Sequence, residues 1–164
     1  MTHRLTRWLL PCAFALAAAL PAVAQEQAEI GPDDWQVRCE DGGCLVVKPV
    51  PLDEEGRRIL LTFAVPQDRS TIRMALITPL GTDLEQGVRL EVGARDVVYR
   101  FSTCMADGCV IIAELTPDDV ANMGVQPQMT ATFYAVNRPD PYSVDIPLAD
   151  FQEAIDVARN GGQQ

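Results

Sequence analysis

Cys39-Glu40-Asp41-Gly42-Gly43-Cys44 and Cys104-Met105-Ala106-Asp107-Gly108-Cys109 share one design: a cysteine, four residues rich in turn formers, and a second cysteine. Strand-like residues flank both. Trp35-Gln36-Val37-Arg38 precedes the first, with Trp35, Val37 and Cys39 alternating with polar neighbours, and Leu45-Val46-Val47 follows it. Val97-Val98-Tyr99-Arg100-Phe101 precedes the second, and Val110-Ile111-Ile112 follows. Alternation with period two marks a half-buried strand, and a short Asp/Gly-rich connection between two strands marks a β-hairpin. Two hairpins under one constraint explain the equal spacing as well as duplication does, so it is not read as a repeat.

The residues upstream set the compartment. Arg4 and Arg7 supply a positive start, an apolar run extends from Trp8 to Leu20, and Ala22-Val23-Ala24 is a small-x-small cleavage site. These are the three parts of an export signal, with cleavage expected after Ala24. The apolar run is about half to two-thirds of the roughly 20 residues a spanning helix needs. Cys12 follows Pro11 inside the apolar core and is discarded with residues 1–24. No later segment approaches spanning length. The expected organisation is a signal peptide over 1–24, a flexible leader over 25–32, one domain over 33–160 and a tail over 161–164, in a soluble periplasmic, secreted or cell-surface protein.

An exported chain sits where paired cysteines become disulfides. Cys39, Cys44, Cys104 and Cys109 allow three connectivities, and local pairing, Cys39 with Cys44 and Cys104 with Cys109, is expected. A four-residue loop can bring two Cα atoms to about 5–6 Å. Closing so small a loop contributes about 2 kcal/mol, against about 4 kcal/mol for a bridge between the hairpins. Geometry and speed of closure decide the pairing. A four-thiolate zinc site would show tighter C-x2-C knuckles, and a redox dithiol a C-x-x-C at a helix start.

Composition narrows the function. The formal charge of −10 falls to −12 once Arg4 and Arg7 leave. That balance repels nucleic acid and anionic lipid, so no nucleic-acid partner is expected. The single histidine, His3, leaves with the signal. The remaining chain therefore has no Ser-His-Asp or Cys-His machinery, no imidazole metal ligand and no histidine pH switch. No cofactor, metal or catalytic residue is expected.

Further strands are expected over 59–65, 72–77, 88–92, 129–136 and 142–146, separated by Pro49, Pro51, Pro66 and Pro79 and by Gly56, Gly81, Gly87 and Gly93. About nine short strands in all indicate an all-β antiparallel sandwich. Thr116-Pro117-Asp118-Asp119 caps and opens a short helix near 117–123 that stops at Gly124. Leu148, Phe151, Ile155 and Ala158 share one face of a C-terminal helix near 148–159, ended by Gly161 and covering an edge or end of the sandwich.

Other residues offer candidate sites. Asp53-Glu54-Glu55 beside Gly56-Arg57-Arg58 reads as a solvated hairpin tip. Asp33-Asp34 and Asp118-Asp119 read as turn and helix-start residues. Ser70, Ser102 and Ser143 have no base of the usual type, and no phosphate loop or nucleophile elbow appears. Trp35, Tyr99 and Phe101 read as core. Arg57, Arg58, Arg69, Arg73, Arg89, Arg95 and Arg100 would form an anion-binding face only if the sheet register gathers them.

The order of motifs is specific. Trp35-x-Val37-x-Cys39 and Cys44 are followed by Pro79-Leu80-Gly81-Thr82-Asp83-Leu84-Glu85-Gln86-Gly87-Val88-Arg89-Leu90. Then come Phe101-x-x-Cys104, Gly108-Cys109, and Val144-x-Ile146-Pro147-Leu148 running into Phe151-x-x-Ala154. This set, over roughly residues 33–158, resembles the invasion-associated locus B family, small exported proteins of alphaproteobacteria. The resemblance implies an immunoglobulin-like β-sandwich with no established catalytic residues. In pathogenic members it implies an association with entry into host cells, especially red blood cells. Three functions follow: a non-enzymatic interaction protein of the cell envelope, binding a protein or envelope component through loops or a strand edge; a periplasmic small-ligand binder; and an enzyme using carboxylates and arginine alone.

Overall fold

The structure, a computed structural model, describes residues 34–68 and 71–161. The signal over 1–24, the leader over 25–32, Asp33, Arg69, Ser70 and residues 162–164 lie outside the described residues. The strands are β1 (Gln36–Glu40), β2 (Gly43–Pro51), β3 (Arg58–Pro66), β4 (Ile72–Thr78), β5 (Val88–Val92), β6 (Arg95–Tyr99), β7 (Phe101–Met105), β8 (Gly108–Leu115), β9 (Gln128–Phe133) and β10 (Tyr142–Pro147). Helix α1 (Pro117–Gly124) lies between β8 and β9, and α2 (Phe151–Arg159) follows β10.

The strands build two antiparallel sheets, ordered β1-β2-β3-β4-β8-β7 and β10-β9-β5-β6. This is an all-β antiparallel sandwich of two layers. The alternation in β3 shows why it closes: Ile59, Leu61, Phe63 and Val65 are buried while Leu60, Thr62 and Ala64 face outward. They meet Val46, Met74, Leu76 and Ile111 of the same sheet and Val88, Leu90, Met129, Ala131 and Phe133 of the other in one core.

The stretch read as one strand from Val97 to Phe101 is two. β6 pairs with β5 in the narrow sheet, the chain crosses at Arg100, and β7 pairs with β8 in the wide one. Period two cannot show this, because the alternation of half-buried Val97, Tyr99 and Phe101 with exposed Val98 and Arg100 runs unbroken through the crossing. The described residues thus hold ten strands rather than about nine.

The wide sheet has two more strands than the narrow one, and α2 lies against the inner side of β1, β2 and β3. Phe151, Ala154, Ile155 and Ala158 are its buried face. Rings of Trp35, Phe63 and Phe151 meet with centroids 5.0–5.9 Å apart. The chain's only lysine, Lys48, points into this layer and sets its ammonium 5.1 Å from the Trp35 ring centroid. Helix α2 begins at Phe151, three residues later than the apolar spacing suggests. Leu148 is buried but turns the chain, its carbonyl accepting from Phe151 N–H, and Asp150 takes a left-handed conformation (φ 61°).

Helix α1 starts on a capping box between Thr116 and Asp119, with Pro117 in the first turn. Gly124 is its last helical residue, and its φ is not positive. Its place is a packing one: a Cβ there would lie 2.5 Å from Oε1 of Gln152 on α2, and that side chain would have to shift.

Candidate interaction site at one end of the sandwich

Cys39 is bonded to Cys44 and Cys104 to Cys109, with Cα atoms 4.0 and 3.9 Å apart. The separation is shorter than the 5–6 Å expected because each pair stands directly opposite across an antiparallel ladder. Each bond ties an edge strand of the wide sheet, β1 or β7, to its inner neighbour. Cys44 lies opposite Val65 at the end of β3, and Cys109 opposite Thr78 at the end of β4. Because β3 and β4 run antiparallel, the two disulfides occupy diagonally opposite corners of one sheet. Gly43 and Gly108 hold equivalent places beside them. A Cβ on Gly43 would lie 2.6 Å from the Val65 carbonyl oxygen, and one on Gly108 would collide with that of Thr78.

The corner held by Cys104–Cys109 anchors a set of loops. Buried Thr78 donates its hydroxyl to the Cys109 carbonyl (3.3 Å). Buried Thr82 has its hydroxyl within 2.7 Å of the Pro79 carbonyl and 3.0 Å of the Thr78 hydroxyl. Residues 79–87, the motif beginning Pro79-Leu80-Gly81, are thereby tied to the disulfide hairpin. They are tied equally to the β9–β10 loop. Thr82 bridges Ala135, Asp83 N–H donates to the Tyr134 carbonyl (2.8 Å), and Val136 N–H to that of Gly81 (3.0 Å). The Asp83 carboxylate accepts from Glu85 N–H (3.0 Å).

These fastened loops turn apolar side chains outward. Leu80 is 61% and Val136 74% exposed, and Leu84, Tyr134 and Met105 are also exposed at this end. Isolated surface leucines need no explanation, but several gathered on one set of braced loops do. Leu84 also lines a shallow cleft of about 250 Å³ with Arg100, Phe101 and Thr103.

The β2–β3 tip completes the end. Asp53, read as a solvated tip residue with Glu54 and Glu55, turns inward. Its Oδ1 accepts from Arg57 N–H (3.1 Å), and its buried Oδ2 contacts Arg57 Nε (2.6 Å). The Arg57 guanidinium lies 5.5 Å from the Tyr142 ring centroid, and that of Arg138, from the β9–β10 loop, lies 4.3 Å from it. Phe133 stacks on Tyr142 at 5.3 Å. The Arg138 hydrogen bond, then that of Arg57, holds the Tyr142 phenol below its ordinary range against the opposing effect of burial. The Tyr142 hydrogen bond, helped by Asp53, raises Arg57 in turn.

The other residues read as candidates are dispersed. Arg73 pairs with Glu114, Arg89 with Asp96 and Arg95 with Asp119. Arg58 opens β3 and Arg100 marks the sheet crossing. These arginines form no common face, and Arg69 lies outside the described residues. Ser102 and Ser143 are exposed on edge strands β7 and β10, and Asp118 and Asp119 form the first turn of α1. Trp35, Tyr99 and Phe101 pack against the core. Arg138 and Tyr142 were missed as partners of Arg57; only the pairing of β9 with β10 brings them to it, and no local spacing signals that. Between the sheets, a void lined by Met74, Leu90, Leu115, Met123 and Met129 measures about 20 Å³. That is one water's worth, against the roughly 300 Å³ of a small-ligand pocket. Larger hollows of about 590 and 620 Å³ are open grooves on the outside at the Cys39–Cys44 end. Among the described residues no helix is long and apolar enough to cross a membrane.

The arrangement has relatives. A crystal structure of invasion associated protein B from Bartonella henselae superposes with a TM-score of 0.67 at 18% identity, covering 79% of this chain and 94% of that one. Invasion protein B homologs of Brucella abortus strain 2308 and of its biovar 1 strain 9-941 are each 26% identical over 147 residues, 87% of this chain and 84% of theirs. The family model for the Invasion associated locus B (IalB) protein matches residues 35–159, from the tryptophan that opens the first hairpin to the end of α2. This chain belongs to the invasion associated locus B family.

Proposed function

We propose that the chain is an exported, non-enzymatic interaction protein of the cell envelope that engages a protein partner through the loop end. One observation carries this: Leu80, Leu84, Tyr134 and Val136 are exposed on loops hydrogen-bonded to each other and, through Thr82 and Thr78, to a disulfide hairpin. Apolar side chains held in a fixed arrangement lose little freedom on binding, which favours recognition. The export signal over residues 1–24 supports placement outside the cytoplasm. The family's curated relatives are named for invasion rather than for a reaction, which favours a partner met at a cell surface and a part in host-cell entry where the source is a pathogen.

A photo-crosslinking residue placed at Val136, or for comparison at Thr62 on the outward side of β3, tests this in intact cells. A discrete product is expected from Val136, absent from Thr62 and lost when Leu80→Asp is added. Equal yields from both positions, or a product indifferent to Leu80→Asp, would remove the loop end as the binding surface.

A further inference from the structure

The Arg57–Tyr142–Arg138 cluster takes no part in holding the loop end to the disulfide. Its two guanidiniums come from different sheets, Arg57 from the β2–β3 tip and Arg138 from the β9–β10 loop, and meet over one phenol. Both loops are braced. Leu52 N–H donates to the Arg57 carbonyl (2.8 Å), Arg138 N–H donates to the Ala135 carbonyl (3.1 Å), and Pro139 and Pro141 follow. Asp53 is the carboxylate paired with Arg57, so two cations stand against one anion, on a chain whose formal charge is −10. Two like charges held together cost energy unless an anion joins them. A guanidinium presents its donors as a fork that fits a carboxylate, and the phenol adds a further donor.

We infer that Arg57, Arg138 and Tyr142 form a binding site for one carboxylate, presented by the partner that covers the neighbouring loops. The excess of one positive charge matches a monoanion. Glu54, Glu55 and Asp140 share the two loops and make the surroundings acidic. A free anion is therefore drawn in weakly, and the site suits a carboxylate delivered by a partner already docked on Leu80 and Val136. The inference rests on the loop-end reading for its partner and on the cluster alone for its chemistry.

The test is an NMR titration of the isotope-labelled chain with sodium acetate, with sodium chloride at matched ionic strength as control, following Arg Nε–H and Tyr142 ring signals. Acetate is expected to give saturable shifts at Arg57, Arg138 and Tyr142 that chloride does not. Arg138→Gln, an exposed change that leaves the backbone bond to Ala135 in place, is expected to weaken acetate binding at least fivefold. An acidic peptide carrying one glutamate is expected to shift the same signals if the carboxylate comes on a polypeptide, whereas acetate binding alone would assign the site to free small acids. Shifts equal to those of chloride, acetate binding unchanged in Arg138→Gln, or inorganic phosphate binding more tightly than acetate would overturn the assignment. Leu80→Asp separates the two readings: it should abolish crosslinking from Val136 and leave the acetate titration unchanged. Crosslinking without acetate binding removes the carboxylate site alone.

Discussion

Trp35 donates its indole N–H to the carbonyl of Ala149 across 2.8 Å, joining the start of the first strand to the turn that launches the last helix. Residues 114 apart in sequence are thereby fixed, and the same ring touches Phe63, Phe151 and Lys48. Trp35→Phe keeps most of the apolar area but loses the donor and the better cation-binding face. A loss of about 1–2 kcal/mol is expected in chemical denaturation, with the slope unchanged. Trp35→Ala should cost about 3–5 kcal/mol. A Trp35→Phe variant as stable as the parent would show that α2 is held by apolar packing alone.

The disulfides divide the labour by corner. Peptide mapping of unreduced protein is expected to recover Cys39 linked to Cys44 and Cys104 linked to Cys109. Replacing either pair with serine should cost about 2 kcal/mol, as small closed loops do. The distinguishing consequence is local. Loss of Cys104–Cys109 loosens the hairpin to which Thr78 and Thr82 bond, so amide exchange should quicken across residues 79–87. Loss of Cys39–Cys44, at the opposite corner, should leave those amides protected. Equal exchange in both variants would break the link between disulfide and loop.

Gly108 is the tightest point of that corner. Its φ of 145° disfavours side chains, and a Cβ would strike the Thr78 carbonyl, which is backbone and cannot swing away. Gly108→Ala should therefore cost more than about 2 kcal/mol. Gly42 also has a positive φ (112°), but its Cβ would meet open space, so Gly42→Ala should cost only about 1 kcal/mol. The order of the two thermal midpoints checks this, and a reversed order would refute the steric argument.

Much of the fold is written in local pattern. The alternation in 59–65 and 72–77 and the two cysteine loops place strands and hairpins because burial on one side of a sheet imposes period two. What the pattern cannot carry is which sheet a strand joins. Arg100 looks like any other polar position in 97–101, yet it is where the chain leaves one layer for the other. The candidate site is half visible: Pro79-Leu80-Gly81-Thr82 stands out as a motif, but its meaning depends on Thr82 meeting Thr78 and on Ala135 pairing across from it. Arg138 was invisible for the same reason, since charge on a loop acquires a role only from what the sheet register sets beside it.

Tyr142 offers the most direct reading of the cationic cluster. The Arg138 hydrogen bond, followed by that of Arg57, favours the ionised phenol, so its folded pKa lies below the ordinary value of 10.0. An acid with a lowered folded pKa adds stability that is complete above its unfolded pKa and is lost as pH falls through the folded one. The contribution is therefore absent below the folded pKa and grows as pH climbs through it toward 10. The chain has three tyrosines, and ultraviolet titration should show one ionising ahead of the others. That component should vanish in Tyr142→Phe. Arg138→Gln and Arg57→Gln should each return it toward 10, because both guanidiniums favour the ionised phenol. The cluster is open to solvent, so added salt should shrink the difference as it screens the guanidinium charges. An early-titrating tyrosine that survives Tyr142→Phe, or one indifferent to Arg138→Gln, would mean that the two guanidiniums do not act on the phenol in solution.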